Sequence, residues 1–192
     1  MSTAVATPAS TGQVLADLLP ASRVRDVTLV LGGAALTGLA AQISVPIPGS
    51  PVPVTGQTFA ALLVGTSLGA RRGIASLVVY ALAGLAGVPC FADGTSGVGV
   101  SFGYILGMVL ATAAVGALAR RGADRSVWRT AGTMVLGSAI IYAVGVPYLA
   151  YAAGLSASAA VAAGLTPFLI GDAVKAALAM GLLPTAWKLV KR

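Results

Sequence analysis

The chain has 192 residues, of which 57% are hydrophobic and only 9% charged, with a net charge of +7 and no His. Soluble domains carry about 25% charged residues, so this balance excludes a single water-soluble core. With one Cys, Cys90, and no Glu, the composition also excludes an intrachain disulfide and argues against a transition-metal site. Lipid offers a backbone no hydrogen bonds, so a spanning segment must be helical or part of a closed barrel. Barrel strands are alternating segments of about 10 residues. The apolar runs here are longer and rich in Ala, Leu, Val and Gly, which predicts an all-α integral membrane protein.

In chain order, residues 1–24 are rich in Ser, Thr, Ala and Pro, and the first basic residue is Arg23. A secretory signal opens on positive charge followed by an apolar stretch, so 1–24 is read as a cytoplasmic tail with a short surface helix near 14–19. The membrane domain is expected over 25–192. Six apolar segments follow, at 27–43, 55–69, 73–88, 101–119, 130–155 and 166–190. The second and third are short for a span of about 17–25 residues and meet at "GARRG". Two helices meeting at a membrane face are preferred there over a re-entrant hairpin, because two arginines are poorly left in lipid.

The cations set the orientation. Arg23 and Arg25 precede segment 1, Arg71 and Arg72 lie between 2 and 3, and Arg120, Arg121, Arg125 and Arg129 lie between 4 and 5. Lys188, Lys191 and Arg192 end the chain. Six spans with both termini cytoplasmic put all of these on the inner side and none in the outer loops, as the positive-inside rule requires. The positive charge therefore reads as topology, with the lipid bilayer as partner and no nucleic acid. The outer loop 44–57 contains Pro46, Pro48, Pro51 and Pro53, and is expected to be extended and stiff. The outer loop 88–101 is Gly-rich and holds Asp93. Both read as a lid or ligand-contacting surface, or else as plain connectors.

The twelfth cation, Lys175, stands apart. "PFLIGDAVKAALAMGLLP" (167–184) is an apolar helix that carries Asp172 and Lys175. Three residues apart, they share one helix face. They lie about 7–8 and 12 Å along the axis from Pro167, in the outer half of the membrane. A charge near the bilayer centre costs about 2.5–3.5 kcal/mol on insertion scales. An acceptor and a donor kept together at that cost suit a small polar ligand with N–H donors, a carbonyl or a carboxylate. The alternative is an ion pair bracing helix 6, and buried pairs often add little net stability.

Gln57, Thr58, Tyr104, Tyr142, Tyr148 and Tyr151 are further polar groups that could line such a cavity, with Tyr104 favoured because it follows the Gly-rich loop. Tyrosines near an interface also serve as anchors. Ala34 and Gly38, like Gly33 and Thr37, form a small-xxx-small face for close helix packing, either within the chain or against a partner. Without His, an activated thiol or the GxxxxGK[ST] pattern, neither enzyme catalysis nor ATP hydrolysis by that route is expected. No cofactor is expected.

Four stretches carry a resemblance: "AALTGLAAQISVPIPGSPVPVTGQTFAALLVGTSLGARRG", "YALAGLAGVPCFADG", "GYILG" and "PFLIGDAVKAALA". In order and spacing they resemble BioY, the biotin-specific substrate-binding subunit (S component) of energy-coupling-factor (ECF) transporters in the cell membrane. The resemblance implies six helices enclosing biotin under loops 1–2 and 3–4, with Asp172 and Lys175 touching the ligand. It also implies docking of Ala34 and Gly38 on a transmembrane coupling protein that carries two cytoplasmic ATPases. Some relatives carry Asn in the Gly-rich loop, where this chain has Thr95 and Ser96, and Arg after the helix 4 tyrosine, where it has Ile105. The contacts to the biotin carboxylate are left open by these departures. The competing expectations are an S component for another vitamin and a small intramembrane enzyme or assembly factor.

Overall fold

The computed structural model describes residues 12–190, almost entirely as helices. Residues 1–11 of the expected tail, with Lys191 and Arg192, lie outside the described residues. A 3₁₀ turn at Leu15–Leu18 precedes α1 (Arg23–Ala41), which Ser22 caps by accepting from the Arg25 N–H at 3.0 Å. The Pro-rich loop is pinned at its base by a two-residue antiparallel pair, β1 (Ser44–Val45) with β2 (Val54–Thr55), in register Ser44 to Thr55. After it come α2 (Gln57–Leu85), α3 (Phe102–Arg120), α4 (Val127–Ala153), α5 (Ala157–Gly164) and α6 (Phe168–Val190). Five of these helices are long and apolar enough to cross a membrane.

The short second and third segments are the two arms of α2. At Gly69 the backbone turns to φ 79°, ψ 168°, a region that glycine enters without a Cβ clash. The arms 57–68 and 70–85 then run antiparallel. A Cβ on Gly73 would sit 3.1 Å from Gly65 Cα, and the Tyr80 hydroxyl donates to Gln57 Oε1 at 2.8 Å. At 1.5 Å per residue the arms are about 18 and 24 Å long. Counted by its arms, α2 makes six apolar helical segments, and counted as unbroken runs there are five.

The short α5 is absent from the expectation, which left 156–165 as a connector. Ser156 accepts from the Ala159 N–H at 3.3 Å, and the Ala-rich stretch behind it favours the helix.

Side chains sort as a membrane solvent demands. Leu77, Tyr80, Met108, Ile141 and Leu149 are fully buried at the bundle centre, whereas Leu39, Val135, Ile170 and Val174 are exposed. An extended exposed apolar surface is the mark of contact with lipid.

The Arg-rich end is tied together by two carboxylates. Arg72 bridges Asp17 (2.8 Å) and Asp26 (3.0 Å), and Arg120 reaches Asp17 at 3.3 Å. Arg120 and Arg125 donate to the Gly12 and Gln13 carbonyls, and Val14 is fully buried. Residues 12–18 therefore pack onto the bundle end. Burial pushes the Asp17 carboxyl up, but hydrogen bonds from Arg72 and the Val14 N–H, with the charges of Arg120 and Arg72, outweigh it and hold the group below its usual range.

Asp124 is different. It is fully buried, accepts from Trp187 Nε1 at 2.6 Å, and leaves Oδ1 without a hydrogen-bond partner among the described residues. Arg125 stacks 4.4 Å over the Trp187 ring, so the end of α6 is fastened to the α3–α4 turn. Burial pushes the Asp124 carboxyl up, against the Trp187 hydrogen bond and the Arg125 charge. A carboxyl raised in the folded state stabilises it below the ordinary carboxylate pKa, and this stabilisation fades as pH rises through the raised value. Asp124→Asn keeps an acceptor for Trp187 without the charge. It is expected to raise the melting midpoint in detergent at pH 8. The gain should shrink toward pH 4, and an equal shift at both pH values would contradict the assignment.

Candidate functional site

The first turns of α2 and α6 and the middle of α4 converge near the end of the bundle that carries the Pro-rich loop. Asp172 and Lys175 lie on one face of α6, with side chains only 15% and 17% exposed. Lys175 Nζ donates to Asp172 Oδ1 at 3.3 Å and to Thr58 Oγ1 at 2.8 Å. Asp172 Oδ2 accepts a hydrogen bond from the Tyr142 hydroxyl. Each carboxylate oxygen thus has one donor, and the ammonium keeps one of its three N–H groups unspent.

Three aromatic rings wall this polar group. Tyr104 and Phe168 lie 6.4 Å apart, nearly parallel at 20°, and Tyr142 stands edge-on to both, 6.5 Å from Tyr104 and 6.4 Å from Phe168. The Tyr104 hydroxyl donates to the Gly164 carbonyl at 2.8 Å, so α5 holds this ring. Between the rings and the ion pair is a cavity of about 20 Å³, which Gln57, Thr58, Val52 and Pro53 also line. That is room for about one water.

A second cavity, of about 320 Å³, lies between the two outer loops and holds Asp93, Thr95, Ser96 and Phe102. Pro53 and Ser101 border both spaces. The fold therefore brings Asp172, Lys175, Gln57 and Tyr104 to one cavity and puts Thr95 and Ser96 in the next. Gln57 is only 7% exposed, and its side-chain oxygen already accepts from Tyr80.

Two residues not singled out from the sequence support these walls. Phe168 closes the aromatic triangle. Gln42 joins the two outer loops, donating to the Phe91 carbonyl at 3.1 Å and accepting from the Gly94 N–H at 3.1 Å. Phe168 had a sequence signal, an aromatic one turn before Asp172 on the same helix. Gln42 had none, since its partners lie about fifty residues away.

Two apolar clefts open on the lipid-facing sides. One, of about 660 Å³, runs between α4 and α6 from Met134 to Leu169 and reaches Tyr142 and Asp172. The other, of about 440 Å³, lies along α1 and holds Ala34, Gly38, Tyr80 and Cys90. Ala34 is 8% exposed and lines this cleft with Val79, Tyr80 and Ala83 of the second arm of α2, whereas a Cβ on Gly38 would meet its nearest neighbour, Cys90 Cβ, at an ordinary 3.5 Å.

Chemically, the site offers a fixed acceptor, a fixed donor and flat apolar walls, which is equipment for holding a compact polar ring. Residues 10–192 match the model of the BioY family. The chain is 36% identical over 162 residues to a probable biotin transporter BioY of Pyrococcus horikoshii, covering 82% of this chain and 93% of that protein. It is 32% identical over 160 residues to the biotin transporter BioY2 of Lactococcus lactis, covering 82% and 87%. In structure it matches the biotin S-component of an ECF-type ABC transporter with a TM-score of 0.77, at 20% identity, over 90% of this chain and 96% of that one. The long helices, the lipid-facing exterior and these matches agree: the chain is a multi-pass membrane protein and belongs to the BioY family.

Proposed function

We propose that this chain is the biotin-capturing subunit of an ECF-type uptake transporter in the cell membrane. The observation that carries this reading is the largely buried Asp172–Lys175 pair beside the Tyr104–Tyr142–Phe168 triangle. The ureido ring of biotin has two N–H donors and one carbonyl. Asp172 has lone pairs left to accept from one of the former, and Lys175 has an N–H left for the carbonyl or for the carboxylate tail. The apolar bicycle suits the aromatic walls, and the neighbouring 320 Å³ cavity, with Thr95 and Ser96, suits the tail. A 20 Å³ space is too small for the ring, so binding displaces Pro53 and Ser101 and merges the two cavities. Biotin is captured on the side opposite the Arg-rich end, which puts both termini in the cytoplasm. The chain carries no nucleotide-binding loop, so the work of transport falls to a coupling protein and two ATPases. The α1 groove around Gly38 is where the coupling protein docks, since small residues there allow close approach.

Calorimetric titration of the purified protein tests the ligand. Biotin should release heat with one-to-one stoichiometry, and other vitamins should not. Sealed right-side-out vesicles should bind biotin from the outer solution. Binding of another vitamin in preference to biotin, or binding only from the inside, would overturn the reading.

A further inference from the structure

We infer that Tyr142 is the positioning residue of the site. It aims the Asp172 carboxylate and thereby sets the demand for a ligand N–H donor at that point of the cavity. The inference rests on Asp172 as the ligand's acceptor.

Tyr142 borders two spaces, the small polar cavity and the 660 Å³ apolar cleft between α4 and α6. Asp172 borders the same two. Apart from Ser138, the cleft's other lining residues are Met, Val, Ala, Pro and Leu, with no side-chain donor for a carboxylate. An anionic oxygen turned toward that cleft would be desolvated without compensation. The Tyr142 hydroxyl supplies the missing donor on Oδ2, while Lys175 holds Oδ1. The carboxylate is therefore gripped at both oxygens, from α4 and from its own helix. The ring that carries the hydroxyl is itself wedged edge-on against Tyr104 and Phe168, so the donor stays in place before any ligand arrives. A carboxylate held in one plane presents its free lone pairs in one arrangement, and less ordering is left for the ligand to impose. A carboxylate free to rotate would discriminate less sharply between an N–H and an N-methyl group at that point.

The test uses biotin and, of the two analogues in which one ureido N–H is replaced by N-methyl, the one that the wild type binds more weakly. Affinity is measured for the wild type, Tyr142→Phe, Asp172→Asn and the double variant. Tyr142→Phe should weaken biotin binding by about threefold to tenfold, because ordering the carboxylate then falls to the ligand. In the Asp172→Asn background the same change should weaken it less than about twofold, because residues acting through one group are not additive. Tyr142→Phe should also shrink the preference for biotin over the N-methyl analogue by at least about threefold. That ratio is read even where Asp172→Asn binds too weakly to measure, and loss of packing alone leaves it unmoved. An unchanged ratio, or equal weakening in both backgrounds, overturns the role of Tyr142. Failure of the wild type to bind biotin overturns the ligand assignment instead.

Discussion

Lys175→Met should leave a protein that binds biotin at least 10-fold more weakly and melts earlier than the wild type. The substitution keeps the length of the side chain but removes the donor that reaches Asp172 and Thr58. Stranding the partner of a buried ion pair typically destabilises by about 3–5 kcal/mol. The Tyr142 hydroxyl still reaches Asp172, so the lower end is expected. Asp172→Asn removes the charge, keeps the shape and turns half of the acceptor into a donor. It should weaken biotin binding by about 1.5–3 kcal/mol, or roughly 10–150-fold at 1.4 kcal/mol per tenfold. Combining Asp172→Asn with Lys175→Met separates ligand contact from mechanical bracing. Both charges are then gone, so stability should recover while affinity stays low. Near-normal biotin affinity in the double variant would falsify the ligand role and leave the pair as a brace between α6 and α2.

Gly38→Trp should abolish co-purification with the coupling protein while biotin binding in detergent survives. The indole would fill the α1 groove, which has about 440 Å³ to receive it, and would keep a partner helix from close approach. The choice of position follows from the fold. A large side chain at Ala34, which is buried and lines this groove with the second arm of α2, would first disturb the chain itself. Gly38→Ala is the control and should keep both properties, since its Cβ makes only ordinary contacts. Retained co-purification of Gly38→Trp would move the docking surface off this groove.

The composition and periodicity of the sequence by themselves determined that this is a helical membrane protein, that the chain turns near "GARRG", and that Asp172 and Lys175 face the same way. These are local or compositional properties. Hydrocarbon admits only helices and closed barrels, the apolar runs are too long for barrel strands, and a spacing of three residues fixes a shared helix face whatever surrounds it. The family resemblance added the meaning of the pair, which no spacing rule contains. Only the tertiary structure decided the rest. Tyr142 and Asp172 are 30 residues apart, Gln57 and Tyr80 are 23 apart, and Tyr104 and Gly164 are 60 apart. Nothing in either member of such a pair names the other, because the hydrogen bond exists only after helices pack. The same holds for Thr95 and Ser96, which lie in a cavity next to the ion pair's rather than in it, and for Asp17, whose partners Arg72 and Arg120 come from α2 and α3. A polar side chain in a membrane bundle announces in the sequence that it needs a partner, and helix packing chooses which partner it gets.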